Sequence, residues 1–580
     1  LDQDKLLSLL SQTTEVVGIE TIDKIEALSI NPANEQKRFQ MEDQLFAYQW
    51  GLVSQGQSVR KDKDDINYVL IKDEASQSST PDWLTLLGDQ AANLPAEVLA
   101  NLLSGQKPTK AFADINFVGF KKANPSNLKE VKVAVIDSGI DFGHPDLKNM
   151  VAKNFSECNV DGGTNYDSRD DLDDNGVPGD CLGWNFTVHK NDPRAKLPMD
   201  DAGHGTHVAG IIAAEIQNNF GVAGLGNNIK IVPIKVLHSD EGSEEAKQIA
   251  FTDRVARGIL YAIKRDVDVI NLSLGWLRQS DTKYLREAVN AALARGIPVI
   301  AAAGNNGSNA RLYPCSYPGV ICVGASTIEG KAADFSNRGG NVDIFAPGES
   351  ILSTWPVTVV PLEFSVHGYE IQSGTSQSAP YVSGAVAQLI AAKDEIKLSE
   401  VQARILLSSN SDILKDQPEL GSAGRLDMEK LISVKEQSAI VPVFKSLDEI
   451  SYTLKDKKFR FPLPIVNYWK DAENVVVKIS TNNSGIELMR SEFPINEIAN
   501  AKSKTIPVDG RIIDIKADRT VQFKVEIVEA DKSRIFYHTV NFVRLLIDDP
   551  NVEERTVTFL DKPKHVSYTH LRAHETRHDL

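Results

Sequence analysis

Between residues 131 and 433, short runs of apolar and β-branched residues alternate with segments of helical periodicity. The runs read VKVAVID, KIVPIKVL, DVDVINLSLG, IPVIAAAGN and VICVGAS. A run that is apolar on both faces suits a strand buried on both sides, and the helical segments between the runs allow the strands to lie parallel. This alternation predicts an α/β fold, a doubly wound parallel sheet with helices on both faces.

The alternation of strands and helices ends after GRLDMEKLI at residues 424–432. Beyond it, FRFPLPIV, ENVVVKIS and VQFKVEIVE alternate apolar and polar residues with period two, and polar turns separate them. This pattern is typical of a small all-β sandwich. We predict an α/β domain over residues 129–434 and a C-terminal β-sandwich-like domain over residues 435–562.

Both ends of the chain differ from these two domains. Residues 1–128 are polar and helix-prone, with amphipathic stretches such as DWLTLLGDQAANLPAEVLANLL, and are interpreted as an N-terminal extension. The last stretch, HVSYTHLRAHETRHDL, holds four of the chain's 11 histidines. A histidine-rich tract can bind metal. We favour a non-native tail over residues 565–580, because the stretch resembles translated adapter sequence.

Acidic residues outnumber basic ones, which limits the partners of this chain. There are 63 Lys and Arg against 79 Asp and Glu, a formal net charge of −16. Such a charge repels polyphosphates and anionic membrane surfaces. The longest apolar runs, such as GIPVIAAAG at residues 296–304, fall short of the roughly 18 residues of a membrane span. We expect no nucleic-acid partner, no membrane span and a monomer.

The four cysteines form two local pairs, Cys158 with Cys181 and Cys315 with Cys322. No CxxC motif occurs, which makes a zinc site improbable. Each pair can close a short loop as a disulfide, which would indicate an oxidising compartment. The alternative is four ordinary free thiols.

A serine at a junction of small residues, Ser376 in SGTSQSAPYVSGA, raises the question of nucleophilic catalysis. A serine hydroxyl is a poor nucleophile unless a base accepts its proton. His204 in GHGTHVAG lies between two glycines that leave its ring uncrowded, and histidine titrates near neutrality. Asp137 ends the run KVAVID, and parallel sheets assemble their sites at the carboxyl ends of strands. Taken alone, Asp137 is more often a turn residue.

The oxyanion of such a reaction also needs hydrogen-bond donors. Asn305, in AAAGNNG, directly follows a buried run and a glycine. Ser376 is expected to begin the helix SQSAPYVSGAVAQLIAA, and the first N–H groups of a helix are unpaired. We therefore expect the Asn305 side chain and the Ser376 N–H to converge on one oxygen.

Five short motifs occur in a fixed order along the α/β domain. DSGID, HGTHVAG, NLSLG, AAAGN and SGTSQSAP resemble the signature blocks of the subtilisin-like serine peptidases, the subtilases, which share the chain order Asp, His, Ser. The stretch between Asn305 and Trp355 further resembles the proteinase K branch. The resemblance covers about residues 131–433 and not the C-terminal domain.

The resemblance implies a secreted or extracellular serine endopeptidase that acts on protein and peptide substrates. It makes Ser376 the nucleophile, His204 the general base and then acid, Asp137 the group that orients the imidazole, and Asn305 an oxyanion donor. Substrate would lie extended beside NLSLG and insert a side chain into an apolar pocket. The residues implied in substrate binding are Ser273, Leu274, Gly275, Ala302, Ala303 and Gly304, with Leu312 near the pocket floor.

Two stretches suggest structural calcium. DDLDDNGVPGDC offers oxygen ligands at alternating spacing and resembles half of a calcium loop, but it lacks the bidentate Glu of such loops. An acidic solvated turn is the alternative. GHPDL and IQNNFGVAG resemble another subtilase calcium site. The candidate ligands are Asp171, Asp173, Asn175 and Asp180 in the first stretch, and Asp146 with Asn218 in the second.

Three functions are open at this stage. A peptidase of broad specificity with an apolar or aromatic residue before the cut fits the absence of acidic residues among the expected pocket walls. A narrow processing peptidase of the same fold would need such an acid. A catalytically silent binding protein would use the same fold without its chemistry. Residues 1–128 are also a place for part of an inhibitory propeptide.

Overall fold

The chain forms two compact units, residues 1–436 and 437–580, and each is described by itself. The computed structural model describes residues 58–61, 68–71, 106–108, 114–117, 120, 128–158, 171–216, 218, 221–239, 250–357, 368–393, 395–410, 413, 420, 424–446, 449–453, 457–514, 520–530 and 532–545, with residues 118, 119 and 217 outside. The amphipathic stretch at 82–103 and the tail at 565–580 also lie outside the described residues.

The described part of the N-terminal extension contains strands where the sequence predicts helix. β1 (Ser58–Lys61) pairs in antiparallel fashion with both β2 (Tyr68–Ile71) and β3 (Gln106–Pro108). The sequence of β2, YVLI, consists of aromatic, β-branched and aliphatic residues that favour strands. A polar average composition therefore concealed a short local strand signal.

A seven-stranded sheet forms the centre of the first unit, and every strand pair in it is parallel. Its spatial order is β10-β9-β8-β7-β4-β6-β5. The strands are β4 (Val131–Asp137), β5 (Trp184–Asn185), β6 (Ile229–Lys235), β7 (Val269–Leu272), β8 (Val299–Ala302), β9 (Ile321–Ser326) and β10 (Ile344–Pro347). The sequence order reverses at β4, so ligands are expected at the carboxyl ends of β4 and β7.

Helices connect and cover these strands, and none of the described ones has both the length and the apolar character needed to cross a membrane. The described α-helices are α1 (His204–Ala213), α2 (Phe251–Lys264), α3 (Lys283–Ala294), α4 (Thr375–Ala391), α5 (Leu398–Ser408) and α6 (Met428–Ser433). Short 3₁₀ turns occupy Pro193–Lys196, Arg278–Ser280 and Phe444–Ser446. A two-stranded antiparallel hairpin joins β11 (Ile351–Thr354) to β12 (Tyr369–Gln372).

Alternate residues of the central strand β4 face two separate cores. Val133 and Val135 pack in one apolar cluster with residues of α1 and α4. Ala134 and Ile136 pack in the other with residues of α2 and α3. Helices therefore cover both faces of the sheet, which confirms the predicted doubly wound α/β fold and explains why the β4 sequence is continuously apolar.

The second unit contains two packed sheets. A four-stranded sheet has the order β13-β15-β19-β17, and a five-stranded sheet has the order β14-β21-β20-β16-β18. Their strands are β13 (Ile440–Pro442), β14 (Glu449–Thr453), β15 (Lys458–Asn467), β16 (Ala472–Thr481), β17 (Ile486–Leu488), β18 (Glu492–Ile498), β19 (Lys502–Ile512), β20 (Thr520–Glu529) and β21 (Lys532–Leu545).

Aromatic side chains join the two sheets of the second unit. Phe459 and Phe461 of β15 are buried, and their ring centroids lie 5.1 Å from Phe542 and 5.6 Å from Phe523 respectively. The exposed positions of β15 alternate with these buried ones. This is the interior of a sandwich, as the period-two pattern of the sequence predicts.

Candidate active site

The carboxyl edge of the parallel sheet gathers the residues that the sequence singled out. Asp137 is the last residue of β4, Ser273 directly follows β7, and Asn305 lies three residues beyond β8. Val135 of β4 pairs with Asn271 of β7, so Asp137 and Ser273 lie at the same level on adjacent strands. Adjacent strands are about 4.8 Å apart, which brings these positions close together.

His204 and Asp137 are in direct contact at this edge. His204 Nδ1 lies 2.7 Å from Asp137 Oδ1, and both side chains are buried. A carboxylate only accepts hydrogen bonds, so Nδ1 carries the proton and Nε2 is left with its lone pair. Among the described residues, Nε2 of His204 and Oδ2 of Asp137 have no hydrogen-bond partner.

A glycine allows His204 to begin α1 in this position. Gly203 precedes it with a φ of +94°, a conformation that other residues rarely adopt. A Cβ atom on Gly203 would lie only 2.2 Å from Cζ2 of Trp355. The glycine seen in the sequence is thus required both by the backbone and by the space beside Trp355.

The surroundings of His204 raise its pKa. Burial lowers the pKa, but the negative charge of Asp137, the hydrogen bond to it and the charge of Asp200 outweigh burial. The net direction is upward from the ordinary value near 6.5. The imidazolium is therefore stabilised at this site.

Asp200 holds residues that neighbour His204 and Asp137 in place, and the sequence analysis did not identify it. It is fully buried and accepts hydrogen bonds from Ser138 Oγ at 2.8 Å, from the Gly203 N–H at 2.9 Å and from Thr206 Oγ1 at 2.6 Å. It thereby caps the start of α1 and fixes the residue after Asp137. The only sequence signal was a second acidic position shortly before the histidine.

His207 has a different environment from His204. Its Nε2 lies 3.1 Å from the Ile351 carbonyl and 3.2 Å from the Glu370 carbonyl. Burial lowers its pKa to about 3, and the charge of His204 acts in the same direction. His207 is therefore neutral near pH 7 and fixes the β11–β12 hairpin against α1.

Ser376 is the second residue of α4 and is completely buried. Its hydroxyl donates to the Ser273 carbonyl at 2.9 Å. Pro380 lies four residues further along the helix and has no N–H, so the Ser376 carbonyl lacks its usual helical donor. Ser273 Oγ takes that place and donates to the Ser376 carbonyl at 2.8 Å.

Two further buried residues hold Ser273. Asn271 Nδ2 donates to Ser273 Oγ at 3.0 Å, and Ser383 Oγ of α4 donates to Asn271 Oδ1 at 2.8 Å. These bonds tie the end of β7 to the first turns of α4. Next to the serine, Gln377 is fully buried, and neither of its side-chain amide atoms has a partner among the described residues.

Asn305 is held beside the start of α4. Its Oδ1 accepts from the Thr375 N–H at 2.9 Å and from Thr375 Oγ1 at 3.1 Å. Thr375 Oγ1 in turn accepts from the Gly304 N–H at 3.0 Å. Because the carbonyl oxygen of the amide is anchored next to Ser376, the orientation of its Nδ2 donor group is fixed as well.

The predicted substrate-binding residues line the same edge. Leu274 and Ala302 are fully buried, and Gly304 has a φ of +102°. A Cβ on Gly304 would lie 2.4 Å from Leu312 Cδ1, so Leu312 packs directly against Gly304. The residues predicted for the pocket, Leu274, Gly275, Ala302, Ala303, Gly304 and Leu312, include no charged side chain.

The second predicted calcium pair is brought together by a hydrogen bond. Asn218 Nδ2 donates to Asp146 Oδ1 at 2.8 Å. Asp146 Oδ2 accepts from the Val222 N–H at 3.0 Å and from the Tyr369 hydroxyl at 2.9 Å. Asp146 is fully buried. A cation here would replace some of these donors.

The acidic loop, residues 171–180, contributes two of the three carboxylates of a cluster. Ligand atoms of Glu157, Asp171 and Asp173 lie within 4.8 Å of one another. Glu157 comes from a preceding loop and was not among the predicted ligands. Asn175 lies inside the cluster, where its N–H donates to Asp171 Oδ1 at 2.9 Å. The carboxylate missing from the loop sequence is therefore available from elsewhere in the fold.

Asp180 shares the donor Asn175 with Asp171 and Asp173, but it also has partners that those two residues lack. It accepts from Asn175 Nδ2 at 3.0 Å and from the Tyr261 hydroxyl at 2.5 Å. Arg265 Nη1 lies 3.3 Å from the same oxygen. The Asp180 carboxylate is fully buried, and its charge is offset by the arginine.

The four cysteines form two disulfides, Cys158–Cys181 and Cys315–Cys322. The first joins the segment of Glu157 to the end of the acidic loop. The second closes a seven-residue separation that runs from the segment beyond Leu312 into β9. Free thiols, the alternative left open by the sequence, are therefore wrong.

Comparisons with known proteins agree with this architecture. A model of the subtilase family matches residues 128–427, more than half of the chain. The chain is 37% identical over 280 residues to the major intracellular serine protease of Bacillus subtilis (strain 168), which covers 47% of this chain and 73% of that protein.

Two other relatives match over similar lengths. The intracellular serine protease of Paenibacillus polymyxa is 36% identical over 325 residues, which covers 55% of this chain and 84% of that protein. Subtilisin DY of Bacillus licheniformis is 35% identical over 303 residues, which covers 51% of this chain and 87% of that protein. The chain therefore belongs to the subtilase family of serine-type endopeptidases.

Proposed function

We propose that this chain hydrolyses peptide bonds through Asp137, His204 and Ser376. The observation that carries the proposal is the 2.7 Å contact between His204 Nδ1 and Asp137 Oδ1, combined with an Nε2 that has no partner in the described part of the chain. Ser376 supports it, because its hydroxyl is bonded to Ser273, the residue that lies level with Asp137 on the adjacent strand.

In the proposed reaction, His204 accepts a proton in each of the two steps and then gives it up again. Ser376 Oγ leaves the Ser273 carbonyl, attacks the scissile carbonyl carbon and passes its proton to His204 Nε2. The C–N bond then breaks, and the departing amine takes that proton. Water attacks the acyl-enzyme in the same way, and His204 returns the proton to Ser376. Asp137 stays ionised and stabilises the imidazolium in both steps.

The oxyanion of each tetrahedral intermediate is assigned to two donors, Asn305 Nδ2 and the Ser376 N–H. The Ser376 N–H belongs to the first turn of α4, where N–H groups have no intrahelical acceptor. Thr375 anchors the other end of the Asn305 amide. Fixed donors of this kind need no reorganisation when the charge develops.

We infer broad specificity, with an apolar side chain before the cut. Substrate backbone would pair with the strand of Ser273, Leu274 and Gly275, which selects weakly among sequences. The pocket is assigned to Ala302, Ala303 and Gly304 on the facing wall. Leu312 packs on that wall, so its side chain limits the depth of the pocket.

We also propose a structural calcium ion in the acidic loop. Asp171, Asp173 and Glu157 supply hard oxygen ligands in one cluster, and the Cys158–Cys181 disulfide holds its two segments together. Asp146 with Asn218 is a second proposed position. Such an ion would supply charge neutralisation and rigidity at the surface, and no chemical step depends on it.

A secreted or extracellular location is proposed from the two disulfides, because such bonds persist in oxidising compartments. Two of the relatives carry the word intracellular in their names. The disulfides are the observation that favours secretion for this chain.

A fluorophosphonate probe tests the proposed nucleophile. We expect it to label Ser376 in the full chain, to leave Ser376→Ala unlabelled and to label Ser408→Ala normally, since Ser408 is a buried hydroxyl of α5. A chain that folds but is never labelled would favour a silent binding protein. Labelling combined with cleavage only after basic residues would favour a narrow processing peptidase.

A further inference from the structure

The segment that carries Asn305 has no regular secondary structure. Residues 303–310 leave β8 and return through a series of bends. This segment contains both the proposed oxyanion donor and part of the proposed pocket wall. A loop without ladder hydrogen bonds needs other contacts to keep a donor within the small tolerance that catalysis demands.

One buried side chain supplies four of those contacts. Asn337 is 1% exposed and lies across the loop from Asn305. Its Nδ2 donates to the Ala303 carbonyl at 2.9 Å and to the Ala310 carbonyl at 3.2 Å. Its Oδ1 accepts from the Asn306 N–H at 3.0 Å and from the Ser308 N–H at 3.4 Å.

The backbone of Asn337 adds a fifth contact on the same loop. Its N–H donates to the Gly304 carbonyl at 2.8 Å. Asn305 is therefore bracketed, because the residues on both sides of it are bonded to Asn337. A Cβ on Gly304 would lie 2.6 Å from Asn337 Nδ2, so the amide approaches as closely as it does only because residue 304 is glycine.

Asn337 is itself fixed to the central sheet. The preceding residue, Ser336, is fully buried, and its hydroxyl accepts from the Ala325 N–H of β9 at 2.9 Å. The same hydroxyl donates to the Asn337 carbonyl at 2.9 Å. Hydrogen bonds therefore connect β9, through Ser336 and Asn337, to the loop. The central sheet is rigid, so these bonds fix the position of the loop.

The chemistry of the site explains why the residue is asparagine. Two carbonyls require a donor, and two N–H groups require an acceptor. Among short side chains, only a carboxamide offers both from one planar group. Serine is too short to reach all four partners, and aspartate has no donor for the two carbonyls.

We propose that Asn337 is a positioning residue for the oxyanion donor Asn305 and for the adjacent pocket wall. This inference rests on the proposed function, because it gives Asn305 a role in the reaction. Asn337 does not touch the reacting atoms in this scheme. It acts through the loop, so its loss displaces Asn305 and lowers the rate of acylation.

A double-mutant cycle tests the inference. Asn337→Ala, Asn305→Ala and the double variant are assayed for kcat and KM on a peptide substrate, at a temperature where thermal melts show all of them folded. We expect Asn337→Ala to lower kcat about tenfold or more with a smaller change in KM. In the Asn305→Ala background the same change should alter kcat less than twofold, because the donor is already absent.

Two further variants keep the test decisive. Asn341→Ala removes a nearby buried carboxamide whose Oδ1 has no partner among the described residues, and it should leave kcat unchanged. Asn337→Ser retains a small polar group and replaces Asn337→Ala if the latter does not fold. Its kcat should still fall, by a smaller factor.

The outcomes separate this inference from the function on which it rests. A lower melting temperature with an unchanged kcat would make Asn337 merely structural and would overturn the inference. Equal losses from Asn337→Ala in both backgrounds would overturn it as well. If the wild-type chain is not labelled at Ser376 by the fluorophosphonate, the proposed function itself fails.

Discussion

The carboxyl edge of the sheet and the acidic loop both gather polar groups, but the groups at the edge are buried, whereas Asp171 of the loop is half-buried and Asp173 is exposed. At the edge, His204 Nε2, Asp137 Oδ2 and both amide atoms of Gln377 have no partner among the described residues. In the loop, the two oxygens of Asp171 accept from the N–H groups of Asn175 and Gly176. The loop satisfies its carboxylates, whereas the edge does not.

This difference indicates what each region is for. A buried polar atom without a hydrogen bond costs about 1–3 kcal/mol of folding free energy. Several atoms at the edge lack a partner among the described residues, and under the proposed function substrate and a moving proton supply partners to His204 there. The Asp171 carboxylate of the acidic loop already accepts hydrogen bonds from the loop backbone, and the proposed calcium ion would add to them, so it serves the fold. Variants at the edge should therefore change rate, and variants in the loop should change stability.

The largest expected effect comes from matched Asp→Asn changes in the two regions. Asp137→Asn removes the charge that orients His204 and should lower kcat by about 10⁴ without a large loss of stability. Asp171→Asn should leave kcat within about twofold while the melting temperature falls. Steady-state kinetics and thermal melts on both variants check the pair. Similar kcat values for the two would remove the distinction.

Calcium removal should give the next largest effect, confined to stability. If the loop binds calcium and the free calcium concentration is about 100 times the dissociation constant, chelation lowers the free energy of unfolding by about 2.7 kcal/mol. This corresponds to a decrease of roughly 5 °C in the melting temperature. Calcium added back should restore the melt. Asp173→Asn should reduce the sensitivity to chelator. An unchanged melt at matched ionic strength would contradict a calcium ion in this loop.

The smallest effect is a displacement of the pH profile. Burial lowers the pKa of His204, but Asp137 and Asp200 raise it further than burial lowers it. The imidazole therefore stays protonated, and unable to act as a base, up to a higher pH than an ordinary histidine. The acid limb of kcat/KM should lie above pH 6.5, which initial rates across pH would show.

His207 provides the control for that profile. Its pKa of about 3 keeps it neutral throughout the working range. His207→Gln should therefore leave the acid limb in place in whatever fraction folds. A limb at or below pH 6.5 in the wild type would contradict the charge arrangement around His204.

Sequence analysis singled out those members of the candidate site that have a local signature. Asp137 could be recognised because an apolar strand ends there, and Ser376 because small residues open a helix. Asp200, Asn337 and Glu157 could not, since each acts through hydrogen bonds or contacts with segments distant in the chain. Their residue types are also ordinary for loops. A pattern along one segment cannot show which remote carbonyl needs a donor.

The fold class followed from the same kind of signal. Continuous apolar runs indicated strands buried on both faces, and alternation after residue 435 indicated a sandwich. The strand at Tyr68–Ile71 was missed because average polarity dominated the reading of residues 1–128. The oxidation state of the two cysteine pairs was left open, because sequence proximity alone does not distinguish a closed loop from two thiols.

The proline in α4 makes two distant parts of the chain depend on each other. Pro380 leaves the Ser376 carbonyl dependent on a hydroxyl from the end of β7. Replacing only one of the two segments with that of a relative would leave a buried carbonyl or a buried hydroxyl without its hydrogen-bond partner. Chimeras of this chain should therefore exchange the two segments together.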